Sequence, residues 1–339
     1  MKSIVYRLWK HLNKKNYGSS FSYRLHKHLS KILLKKGLIT SYTPLKLKKW
    51  KPLYEITGRI EKIEKKCGKI RQAGSFKLYK EDAFICYKKF FSLQLYANTL
   101  ETLIVGSSHG HYGYYAEERF HEINACEASQ DLYYSYEIYK KYSNSPRLKN
   151  IVLFYSVFSP GFLLELTSME WRCDFYRFFY DIPYRFSKDY EKKDIMLSIA
   201  EYILKEKASV AHDFHYTGNC SYKYFEKTDK NILNDRIKGH LNGNRRDQNQ
   251  TAYVEKASKL ASEKGHKLYV IIPPARSDYT NLLPSSAELF PDLLKLKDIR
   301  ILSFLGDQRF LDSDFGDSDH LNKQGAEKLT ELIRRSFNS

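Results

Sequence analysis

The sequence predicts an α/β protein, a parallel sheet flanked by helices, preceded by a basic helical segment. Three observations predict it. From about residue 101, short apolar runs alternate with helical stretches. Those runs are apolar at successive positions, as strands covered on both faces are. Finally, residues 1–72 hold 20 Lys or Arg against 3 Glu, a net +17, whereas the remaining 267 residues hold 37 basic and 36 acidic side chains, a net +1. The total of +18 therefore belongs to one segment and not to the whole chain.

Within residues 1–72, Ile4, Val5, Leu8, Trp9 and Leu12 share one helical stripe with Lys and Arg around it. A second stripe, Leu25, Leu29, Ile32 and Leu33, runs into Lys35-Lys36-Gly37, with basic side chains in the last turn and Gly to end the helix. Three readings of this segment stand. It is a helical hairpin docked with a solvated basic face; or it contacts an anionic membrane surface or an acidic polysaccharide; or it binds nucleic acid. The near-neutral body and the lack of any nucleic-acid motif disfavour the third.

Residues 73–339 form the expected α/β domain. Leu103-Ile104-Val105 is its first strand, ending in Gly106-Ser107-Ser108-His109. A Tyr-rich helix follows near 129–142, then a second strand, Ile151-Val152-Leu153-Phe154-Tyr155. The stretch from about 161 to 247 is longer than a crossover needs and reads as a helical insertion. It closes in the polar loop Asn242-Gly243-Asn244-Arg245-Arg246-Asp247. A helix near 249–264 leads to the third strand, Leu268-Tyr269-Val270-Ile271-Ile272, stopped by Pro273-Pro274. Ile299-Arg300-Ile301-Leu302 is the fourth strand, and a last helix covers 322–337.

Composition narrows the class. A 42% hydrophobic share supplies a core and excludes wholesale disorder. The 28 Tyr and 20 Phe suit sugar-stacking or interfacial surfaces, or simply follow an AT-rich genome. Five scattered cysteines form no Cys-x-x-Cys pair, so neither a zinc site nor a disulfide framework is expected, and a reducing compartment fits. Arg7, Lys10, Lys14 and Lys15 interrupt the N-terminal apolar residues, so no secretory signal is read there. No run approaches the ~18 apolar residues of a spanning helix. The expected location is the cytoplasm, with a peripheral place on the inner face of the membrane if the basic segment binds it.

The chemistry gathers at two points. In doubly wound sheets ligands lie beyond the carboxyl ends of the strands. Ser108 stands at such an end, with backbone N–H groups of a following helix suited to an oxyanion. Small residues are also common in such turns for purely structural reasons. Near the C-terminus, Asp317-Ser318-Asp319-His320 precedes Leu321-Asn322. A His that activates a Ser needs a carboxylate on its other ring nitrogen, and Asp317 supplies one from the same short segment, with Asp319 as a rival. Asn322 is explained as a helix cap, which leaves His320 unexplained by capping. Weaker candidates are His109 and His111 beside Ser108, and Arg276 after Pro273-Pro274 as a partner for an acidic group. His212 and His215 have metal-ligand spacing but no third ligand, so no metal is expected.

Together the two points resemble the SGNH/GDSL hydrolase superfamily. Gly106-Ser107-Ser108 is similar to its Gly-Asp-Ser block, with Ser107 in place of the Asp, and Asp317-Ser318-Asp319-His320 is similar to its closing Asp-x-x-His block. The Gly-Ser-Ser form resembles the branch holding D-alanine-transfer proteins and polysaccharide O-acetyltransferases. The resemblance implies a three-layer sandwich and a Ser108–His320–Asp317 triad. It also implies an oxyanion hole from the Ser108 and Ser129 N–H groups, Ser129 replacing a Gly in the stretch Asn124–Asp131. The family's next block, Gly-x-Asn-Asp, is replaced by Ser156-Val157-Phe158-Ser159, so one oxyanion donor is either missing or replaced by Ser156 or Ser159. The implied activity is O-acyl, expectedly O-acetyl, transfer to a cell-surface polysaccharide or its precursor. No cofactor would be bound, acetyl-CoA being the donor and a glycan the acceptor. A deacetylating esterase, or a degenerate binding protein for glycan or membrane, are the alternatives.

Overall fold

The computed structural model describes residues 80–186, 217–220, 222, 230–242, 249–297 and 299–338. The basic segment 1–72, His212, His215 and residues 187–216 of the expected insertion lie outside these. Two compact units are distinguished: Met1–Leu95 with Ser187–Tyr216, and Tyr96–Phe186 with Thr217–Ser339. Of the first unit, only the helix α1, Lys80–Tyr96, is described, up to Leu95. Its Cys86, Tyr87, Phe90 and Leu93 are buried at helical spacing. Among the described residues no helix is long and apolar enough to cross a membrane.

The second unit is built on five parallel strands: β1 (Thr102–Val105), β2 (Glu122–Asn124), β3 (Asn150–Phe154), β4 (Lys267–Ile272) and β5 (Arg300–Ser303). They lie in the order β2-β1-β3-β4-β5. Ile104 pairs with Asn124 on one side and Val152 on the other; Val152 then pairs with Tyr269, and Tyr269 with Arg300. Four of these strands follow the sequence expectation. β2 was not foreseen.

The described helices that follow β1 and its neighbours are α2 (Ser108–Gly113), α3 (Leu132–Tyr142), α4 (Trp171–Phe175), α5 (Lys230–Asn242), α6 (Ala252–Lys264), α7 (Ser277–Thr280), α8 (Ser286–Leu289) and α9 (Lys323–Arg335). Alternation along the strands divides the sheet's faces. Ile104, Val152, Phe154, Tyr269 and Ile271 share one core cluster with Leu329 and Ile333 of α9, and α9 also packs on α2. On the other face α3 and α6 pack together over β1 and β4. Helices thus cover both faces of a parallel sheet, a three-layer α/β arrangement.

Local chemistry sets the element ends. The Asp131 carboxylate accepts from Tyr134 N–H to start α3, and the Asn322 side chain accepts from Gly325 N–H to start α9. Gly265, in the left-handed region at φ +71°, ends α6. In this strand order β1 feeds β2 on one side while β3 feeds β4 on the other. The crevice beyond the carboxyl ends of β1 and β3 is therefore the topological switch point.

Candidate active site

Ser108 lies at that crevice, as the first residue of α2. The turn before it needs Gly106, whose φ is +142° and where a Cβ would come within 2.7 Å of Phe154 Cβ on β3. α2 is then held down from two sides. Gly110 lets its backbone meet Cys126 and Phe154, where a Cβ would lie 2.4 Å from the sulfur. The buried Asn124 amide, at the end of β2, donates to Gly110 O and Tyr114 O and accepts from Cys126 N–H.

Ser108 Oγ is 2.8 Å from His320 Nε2, and His320 Nδ1 is 2.8 Å from Asp317 Oδ2. Asp317 Oδ1 also accepts from the His320 and Asp319 backbone N–H groups. A carboxylate only accepts, so Nδ1 carries the hydrogen and Nε2 is free to accept from the Ser108 hydroxyl. The choice between the two carboxylates is clear: Asp319 Oδ1 is 3.9 Å from Nδ1. The imidazole is also held by rings. His109 (centroids 4.8 Å, 22°) and Tyr222 (5.5 Å, 8°) both stack against it, with Tyr112 edge-on.

A second relay runs beside the first. His109 Nε2 is 2.9 Å from Asp319 Oδ2, His109 Nδ1 is 2.8 Å from Ser156 Oγ, and Ser156 Oγ is 3.1 Å from Ser107 Oγ. By the same donor logic, hydrogens point from Ser107 to Ser156 to His109, and from His109 to Asp319. All four side chains are buried. Burial pushes the His109 imidazole down despite the Asp319 carboxylate, so the ring is neutral.

Arg236, from α5, joins the two relays. Its guanidinium pairs with Asp317 Oδ2 at 3.2 Å and Asp319 Oδ1 at 2.6 Å. Nη2 also lies 2.9 Å from His320 Nδ1. Both nitrogens carry hydrogens in the relay, so the carboxylates are the true partners of the guanidinium. Burial raises the Asp317 carboxyl, but the hydrogen bond and charge of His320, with Arg236, outweigh it and hold the group below its usual range. Asp319 is held lower still: burial again opposes, and His320, His109 and Arg236 prevail. His240, one turn further along α5, is hydrogen-bonded through Nδ1 to the Tyr279 hydroxyl at 2.6 Å and is pushed down to about 4, chiefly by burial.

A cavity of about 420 Å³ opens at Ser108, lined by Ser108, Ser129, Phe158, Gly161, Phe162, Leu163, Leu166, Thr167, Gly239 and His240. Ser129 holds a left-handed φ of 61°, a conformation that favours Gly, and thereby stands where the resemblance puts a Gly. Neither the Ser108 nor the Ser129 N–H is donated to another group among the described residues. Both are free to meet a developing oxyanion.

Three expectations are corrected. His109 does not face substrate, because both of its ring nitrogens are engaged in the buried relay. Arg276 is tied by Nε and Nη2 to Asp278 at 2.9 and 2.7 Å, and does not line the cavity; its backbone N–H instead holds Ser318 O, steadying the His320 loop. Ser156 and Ser159 supply no third oxyanion donor. Ser156 Oγ serves His109, Ser159 Oγ accepts from Ser156 N–H, and Phe158 lines the cavity in their place. His111, the other weak candidate, is turned to Cys126 O.

Sequence reading missed Arg236, His240 and the apolar wall. The available signal was the i, i+4 pair Arg236 and His240 beside the buried pair Leu233 and Ile237 on one helix. Among the described residues, one group brings His and carboxylate atoms close enough for a metal: His109, Asp319 and His320, within 4.8 Å. A cation there would replace the hydrogen bonds just described, His320 to Ser108 included. No protein-family model matches the chain, and no curated protein matches its sequence.

Proposed function

We propose that the chain is a serine-dependent acyl-transfer enzyme of SGNH type, with Ser108 as nucleophile, His320 as general base and acid, and Asp317 holding the imidazole. The observation that carries this reading is the unbroken Ser108–His320–Asp317 relay, with both bonds 2.8 Å, opening on a cavity lined by Ser108 and Ser129. A buried carboxylate, a single fixed tautomer and a hydroxyl at a strand end have no common structural purpose in a turn.

The Ser108 hydroxyl passes its proton to His320 Nε2 as Oγ bonds the acyl carbon, and the carbonyl electrons move onto oxygen. The Ser108 and Ser129 N–H groups stabilise that oxyanion. As the carbonyl re-forms, the bond to the leaving oxygen or sulfur breaks, and that atom takes the proton from Nε2. An acceptor hydroxyl then gives its proton to Nε2, attacks the acyl-enzyme, and releases Ser108 Oγ, which regains the proton. A glycan hydroxyl as acceptor makes the enzyme an O-acyltransferase, consistent with the resemblance and with acetyl-CoA as an acyl donor of the simplest kind. Water as acceptor makes it an esterase of the same mechanism.

Incubation with p-nitrophenyl esters, with and without an oligosaccharide, tests both steps. Ser108→Ala is expected to lower turnover on the order of 10⁶-fold, to the level left by the oxyanion hole and binding. A fluorophosphonate probe is expected to label Ser108 and no other serine. Full turnover in Ser108→Ala, or an unlabelled Ser108, would overturn the mechanism.

A further inference from the structure

We infer that the cavity beside Ser108 is an acyl-chain pocket, so that the group transferred is an acyl chain longer than acetyl. This rests on the serine mechanism proposed above and deepens it.

The cavity measures about 420 Å³. That is the scale of a pocket for a drug-sized ligand, roughly 300–1,000 Å³, and an acetyl group would occupy only a corner of it. Its polar side chains are Ser108 and Ser129, with Thr167 and His240. Beyond them the wall is Phe158, Phe162, Leu163 and Leu166.

The wall is fixed as well as apolar. Phe158 packs edge-on against Phe162 at 5.1 Å and is backed by the His109 ring at 5.6 Å and the His240 ring at 5.2 Å. A chain entering the pocket meets a surface that is already formed.

Of the remaining polar side chains of the lining, Thr167 and one ring nitrogen of His240 are already engaged. His240 Nδ1 is bonded to the Tyr279 hydroxyl at 2.6 Å. Thr167 Oγ1 donates to Leu164 O and accepts from Met169 N–H. No carboxylate, amide or guanidinium lines the cavity among the described residues. A sugar ring presents a hydroxyl at nearly every carbon and would find few partners here, whereas methylenes lose nothing by leaving water. An acyl carbon bonded to Ser108 Oγ, its carbonyl oxygen at the two N–H groups, has this wall as the place for its tail. Leu166, 48% exposed, stands at the outer edge.

The test is a chain-length series on the full chain: p-nitrophenyl acetate, butanoate, hexanoate and octanoate. For each, kcat/KM is divided by the rate of spontaneous hydrolysis. The expected result is a rise of about two- to fourfold per added methylene from acetate to hexanoate. Phe162→Ala and Leu166→Asp are each expected to lower the hexanoate-to-acetate ratio at least threefold, and Leu166→Asp alters a side chain that is already half-exposed.

Turnover that depends on Ser108 but is highest with acetate, or flat along the series, would overturn the acyl pocket and leave the serine mechanism standing. A rising series whose ratio neither variant moves would place the tail elsewhere and overturn the assignment of this cavity. Turnover unchanged in Ser108→Ala would remove the mechanism itself, and the pocket with it.

Discussion

Two neighbouring residues of α2, Ser108 and His109, each reach across to the loop before α9, one to His320 and the other to Asp319. The second contact fixes the distance spanned by the first. On the proposed mechanism His109 is therefore a positioning residue, which links the helix of Ser108 to the loop of His320. His109→Phe keeps a ring against His320 and removes both hydrogen bonds. It is expected to lower kcat about tenfold with KM little changed, and His109→Gln, which can still bond Asp319 and Ser156, is expected to recover most of the loss. Asp317→Asn is expected to cost on the order of 10⁴ in kcat, because the amide favours the wrong imidazole tautomer. Steady-state kinetics on a p-nitrophenyl ester measures all three. The meeting of Ser108, His320 and Asp317 was legible in the sequence from its two short blocks, though spacing only favoured Asp317 over Asp319. The role of His109 was not, because its partners come from residues 47 and 210 positions away. Arg276 misled for the opposite reason: its partner Asp278 is two residues on, and a charge so close in sequence claims the guanidinium first.

At the level of elements, the sheet's interior strands were legible and its edge was not. Ile151–Phe154 and Leu268–Ile272 are continuously apolar because helices cover both of their faces. β2 is three residues, Glu122-Ile123-Asn124, with one apolar side chain, and no periodicity can be read from one residue. Its value lies in Asn124, which pins α2 from beneath. That short helix has little stability of its own and depends on close backbone contact. In Gly110→Ala the new methyl meets Cys126 Sγ and Phe154, so α2 must lift from β3 and carry Ser108 with it. The expected cost is about 1–3 kcal/mol of stability by urea unfolding, with ester turnover lost more than tenfold at temperatures where the protein is still folded. Asn322→Ala removes the α9 cap and is expected to cost about 1 kcal/mol in the same measurement.

For the molecule as a whole, the order of strands decides where the site can be, and order is invisible to local pattern. Only the reversal between β1 and β3 opens a crevice, and both relays end in it. The same arrangement buries several histidines, which makes stability depend on pH. His240 is pushed down to about 4 from an ordinary value of 6.5, with burial the leading cause. Between those values the unfolded chain binds a proton there that the folded chain refuses. The stability His240 contributes is thus complete above pH 6.5 and declines as pH falls toward 4. Asp317 and Asp319, held low, stay ionised through that window. Urea unfolding is expected to show about 2 kcal/mol less loss between pH 7 and pH 5 in His240→Gln than in the unchanged chain. The comparison separates His240 from Asp131, which burial pushes up and which acts in the opposite sense.

The imidazole of His320, stacked against the rings of both His109 and Tyr222, has a final consequence. A ring so stacked can tilt but cannot turn over, so Nε2 has one address throughout the cycle. The atom that departs with its proton and the hydroxyl that later arrives must use that address in turn. On the proposed mechanism, donor and acceptor would then be served in succession, as at a turnstile. Double-reciprocal plots at several acceptor concentrations are expected to give parallel lines, the pattern of ping-pong kinetics; lines that intersect would mean that the two are held at once.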